Sequence, residues 1–213
     1  MRPTRTHPDF VSKEGTMSAI SDAHHFRKMV AGFCMVFAPL CVLVGFIADP
    51  DTSYVLLFIG AVLMLPAALG LMHMLREREV AFGHVGGGLS LIGLMGMAGL
   101  IGMDVGGTTD LVNRVDNLSG VATMLFVATM GVGLGLALLG LGVFRAQATA
   151  SWTAACLMIG AVAFDVALLA GSAGIATAAS AVMLLGLGTI GLGVWRESDE
   201  AWDHTRPLGA RSS

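Results

Sequence analysis

"LGLALLGLGVFR" at residues 134–145 and "LGLGTIGLGVWR" at residues 185–196 agree at eight of twelve positions, and both end in an aromatic ring followed by arginine. Each closes a long run without a charged residue. Crossing the roughly 30 Å of bilayer hydrocarbon takes a helix of about 20 apolar residues. Both phrases therefore mark the place where such a helix leaves the membrane. Phe144 and Trp195 fall at interfacial depth, and Arg145 and Arg196 fall among the headgroups. "GLMHMLR" at residues 70–76 closes a third run in a looser version of the same phrase. A repeated helical hairpin would explain the likeness. Chance matching would explain it too, in a chain this rich in glycine, leucine and valine.

Composition points the same way. Of 213 residues, 55% are hydrophobic and 13% charged, against roughly 25% charged in soluble domains. A soluble fold could not hide so much apolar surface. Six spans are expected, near 29–48, 54–75, 80–103, 120–144, 151–172 and 175–195. The break between the last two rests only on "AGSAG". The expected fold is an all-α polytopic bundle of six transmembrane helices, read as three hairpins if the repeat is real. Residues 1–26 form a polar segment expected to be disordered, 27–196 the transmembrane domain and 197–213 a polar tail. Met17 offers an alternative start, and the first span reads as a retained helix rather than a cleaved leader.

An even number of spans puts both termini on one side. That side would hold Arg2, Arg5, Lys13, Arg27, Lys28, Arg76, Arg78, Arg145, Arg196, Arg206 and Arg211, against Arg114 alone on the other. Positive residues stay on the cytoplasmic side. The expectation is an inner (plasma) membrane protein with both termini cytoplasmic.

Asp165 is the candidate for chemistry. It lies about 21 Å along the fifth span from its inner edge, past the midplane. Acids at such depths are costly and often mark ion or proton pathways. The alternative is a carboxylate that bonds a neighbouring helix or pairs with Arg114. Pro39 and Pro66 are candidate kinks, each freeing the carbonyl four residues earlier, and interrupted helices build many transport sites. Packing kinks are the simpler reading. Asp110 and Arg114 are spaced to pair on a short helix in the outer loop. Asp110 with Asp49, Asp51, Asp104 and Asp116 gives that side an acidic cast.

Other chemistry finds little support. His24, His25, His73 and His84 gather near the inner boundary, but their spacing matches no zinc pattern. His73 and His84 are therefore weak metal candidates beside a solvated interfacial reading. Cys34 and Cys41 are about 10 Å apart along one helix, too far for a disulfide. No nucleotide loop, metalloprotease helix or nucleophile elbow is present, so no cofactor and no enzyme activity are expected. A net charge of −3 gives no reason to expect nucleic acid. The expected partners are the lipid bilayer and, through close-packing glycine faces, a second copy or another membrane protein. Two functions remain: a small proton- or cation-coupled transporter or channel, the preferred reading, and a noncatalytic scaffold.

Overall fold

The structure, a computed structural model, describes residues 11–104, 120–198 and 202. It contains six helices: α1 (Val11–Gly45), α2 (Pro50–Leu75), α3 (Val80–Asp104), α4 (Gly120–Ala146), α5 (Ser151–Ala170) and α6 (Ala173–Arg196). All six are long and apolar enough to cross a membrane. Four of the described connections are only a few residues long, so sequential helices must run antiparallel beside one another. Each helix packs on the next, and α1 also packs on α6, closing a ring. The chain is a multi-pass membrane protein built as a six-helix bundle. Phe58, Ile92, Met95, Met124, Val127, Ile159 and Leu185 point outward and are exposed. Met35, Leu71, Leu136, Leu139, Leu157 and Phe164 fill the interior.

Helix ends follow local chemistry. Pro50 opens α2, and Asp49 caps it by accepting from the Thr52 N–H at 3.3 Å. The Thr52 hydroxyl bond, with the backbone bond after it, holds the Asp49 carboxyl below its ordinary range. At "AGSAG", Gly171 takes the left-handed conformation (φ 61°) and Ser172 caps α6, accepting from the Ile175 N–H. Two adjacent cap residues thus make the tight reversal that few polar residues announced. The first helix is longer than its expected span. It begins at Val11, so residues 11–26, expected to be disordered, continue α1 toward the N-terminus. No proline interrupts the sequence between Val11 and Lys28, which removes the strongest breaker. Both prolines named above lie inside unbroken helices, Pro39 in α1 and Pro66 in α2. Neither span is interrupted there.

The turn after α4 carries strain. Gln147 has φ 50°, a left-handed position that disfavours side chains with a Cβ. Its N–H donates to the Phe144 carbonyl and the Ala148 N–H to the Val143 carbonyl, the pattern of a helix end that usually carries glycine. Gln147→Gly should therefore raise stability by about 0.5–1 kcal/mol. Thermal unfolding in detergent reads this directly; an unchanged or lowered midpoint would contradict it.

Candidate functional site

The interior is apolar, so a charged group inside it must be seated by specific neighbours. Asp165 sits on the α5 face that meets α4, half-buried. Its Oδ1 accepts from the Gly133 N–H at 3.2 Å. Glycine is required opposite it. A Cβ on Gly133 would collide with the Asp165 carboxyl carbon and with the Ala161 carbonyl oxygen. The carboxylate therefore lies flat against main chain, and no ion pair reaches it among the described residues. Arg114, one proposed partner, and Asp110 lie outside the described residues.

Two hollows flank this seat without reaching it. A recess of about 130 Å³ at the arginine-rich end is lined by Thr149, Thr153, Thr189, Met74, Ile190 and Glu197, among others. A smaller void of about 70 Å³ at the opposite end is lined chiefly by apolar side chains, including Phe46, Leu57, Phe126 and Leu168, together with Thr129. Along α5, Asp165 lies between Thr153 at the first and Leu168 at the second. Of two hydroxyls that could join it in a polar path, one is engaged elsewhere and the other lies at a different helix contact. Thr129 donates to the Leu125 carbonyl at 2.8 Å. Ser90 is fully buried against Gly135 at the α3–α4 contact, its Oγ without a hydrogen-bond partner among the described residues.

The basic residues do more than their spacing foretold. Lys28 is buried, and its Nζ donates to the Glu197 carbonyl at 2.9 Å, joining the start of the α1 span to the end of α6. Trp195 Nε1 donates to the Met29 carbonyl beside it, and its ring lies where Gly32 has no side chain. Arg78 Nη1 donates to the Ala146 carbonyl, while Arg145 pairs with Glu79 at 3.2 Å and lies over the Phe82 ring. Cations near the C-terminal ends of helices satisfy carbonyls left without partners. Burial pushes the Glu197 carboxyl upward, with the Lys28 ammonium pulling it back.

A groove of about 480 Å³ lies between α1 and α2 at this same end. Arg27 and Arg76 stand at its mouth, and Pro66 and Leu69 lie deeper. Trp202, beyond the end of α6, is buried there and stacks on His73 with ring centroids 5.1 Å apart. The sequence signal for this was a single large aromatic in the polar "RESDEAWDHTR". His84 is exposed and its Nδ1 lies 2.8 Å from the Val80 carbonyl one turn earlier. Among the described residues no three histidine, cysteine, aspartate or glutamate side chains gather as a metal site. Set against models of protein families, curated proteins and solved structures, the chain shows no significant match.

Proposed function

We propose that this protein is a small proton- or cation-coupled transporter or channel of the inner (plasma) membrane, with both termini cytoplasmic and Asp165 as its titrating group. One observation carries the reading: a carboxylate inside a span, five residues from the end of α5, is held by a main-chain N–H of the neighbouring helix, with no counter-cation among the described residues. An ionised carboxylate accepts that bond; once protonated, it carries a donor of its own and a weaker acceptor. Loading the site thus alters the α4–α5 contact itself. The hydroxyl-lined recess at Glu197 gives water a starting point at the arginine-rich end. In this reading the conformation described, in which neither of these two hollows is lined by Asp165, is the closed one.

Asp165→Asn keeps the size and an acceptor oxygen but cannot titrate. In proteoliposomes it should abolish pH-dependent flux while the variant stays folded and monodisperse. Unchanged flux would remove Asp165 from the mechanism.

The scaffold reading draws on the same geometry, since Asp165 is satisfied locally. It loses support at the glycines. Gly86, Gly93, Gly96, Gly131, Gly135 and Gly186 all press on neighbouring helices of the same chain, and those facing open space, Gly88 and Gly102 in α3 and Gly174 and Gly193 in α6, are too far apart to form a close-packing stripe. Wild-type protein that carries no flux at any pH would favour the scaffold.

A further inference from the structure

The groove between α1 and α2 is used by neither reading above. Its polarity changes along its length. Arg27 is exposed and makes no ion pair among the described residues. Arg76 approaches the neighbouring Glu77 carboxylate at 3.8 Å, both groups largely in the open. Two guanidiniums thus stand at the interface facing an apolar trough. Below them lie Val30, Leu69, Gly70 and Pro66. Gly70 keeps the helices close, since a Cβ there would come within 2.7 Å of the Ala31 Cβ. The trough opens sideways, with Phe26 69% and Leu69 51% exposed. Ten residue steps along α2 and its C-cap lead from Pro66 to Arg76, about 15 Å of helix. That is half of the roughly 30 Å hydrocarbon, the depth of one leaflet.

We propose that this groove is a seat for an anionic phospholipid of the leaflet at the arginine-rich end. Its phosphate lies between Arg27 and Arg76, and one acyl chain runs along Val30, Leu69 and Pro66. Trp202, stacked on His73, forms the wall beside the headgroup. Basic pockets between spans on the cytoplasmic side recognise anionic headgroups by charge, and the volume falls within the roughly 300–1,000 Å³ common for small-molecule sites. A soluble anion would satisfy the arginines but leave the trough uncovered. A zwitterionic lipid would cover the trough but not answer two guanidiniums.

The test uses the full-length, delipidated protein in detergent, with bound lipid counted by native mass spectrometry. Phosphatidylglycerol should bind at least about tenfold more tightly than phosphatidylcholine of the same chains. Arg27→Gln and Arg76→Gln should each weaken phosphatidylglycerol about fivefold. Arg196→Gln, an exposed arginine at the same end but outside the groove, should change it by less than about twofold. Glycerol phosphate, the headgroup without chains, should not bind. Equal affinity for the two lipids would overturn the proposal. So would losses at Arg27 and Arg76 no larger than at Arg196, or headgroup binding that matches the lipid.

Discussion

Gly93→Ala is expected to cost about 2–3 kcal/mol, and Gly93→Val to prevent the bundle from assembling. A Cβ at this position would fall on the main chain of Gly131 and Val132 in α4. Main chain inside a helix cannot step aside as a side-chain tip can, so α3 and α4 would have to separate. That contact also carries Gly86, facing the Gly135 carbonyl, and Gly131, facing the Leu89 carbonyl. Separation at one point therefore loosens the whole length. Lipid is as apolar as leucine, and close packing is what such a contact contributes in a membrane. Gly102→Ala is the matched control. It faces open space near the end of the same helix, and should be neutral or more stable by up to about 1 kcal/mol through helix propensity. Unfolding midpoints of the three variants in one detergent decide the matter. Equal midpoints for Gly93→Ala and Gly102→Ala would show that α3 and α4 do not touch there.

Lys28→Met should lower stability by about 1–3 kcal/mol. The substitution removes the charged donor to the Glu197 carbonyl and leaves the half-buried Glu197 carboxylate without the ammonium that offsets its burial. Glu197→Gln should be much milder, because Lys28 bonds main chain rather than the carboxylate. The pH response separates the two. Glu197 is raised in the folded protein, so the folded state holds its proton more tightly than the unfolded state. Its stabilising contribution is full below the ordinary glutamate range and is lost as pH rises through the raised value. Wild type should weaken across that window, and Glu197→Gln should weaken less. A Lys28→Met protein as stable as wild type would dissociate ring closure from this bond.

The spans were legible because hydrocarbon imposes a length and a polarity that few other environments demand. Asp49–Pro50, Arg76–Glu79 and Arg145–Ala150 announce their boundaries through charge, proline or aromatic residues. What each helix faces was less legible. Lipid and protein interior are equally apolar, so α2, α3 and α5 are hydrophobic on all sides and no stripe marks the inner face. Which glycine meets which helix is then decided by three-dimensional fit. Within the shared phrases the fit does repeat. Gly135 and its counterpart Gly186 meet the preceding helix, while Gly140 and Gly191 meet the following one in the ring. Beyond that the phrases diverge, since Phe144 is exposed and Trp195 is bonded to α1. Asp165 could be named from its depth, but not its seat on Gly133. Lys28 could be counted for orientation, but not recognised as buried, because nothing in its neighbourhood on the chain points to Glu197.

Contact between the first and last spans also sets an order of events during synthesis. The α1 surface around Gly32 and Met35 fits against Gly191 and Trp195, which leave the ribosome about 160 residues later, 191 less 32. Until then that surface has only lipid, or another protein, to cover it. The bundle is therefore completed after translation of its spans rather than alongside it, and any insertion factor that shelters the early helices must release α1 when α6 arrives.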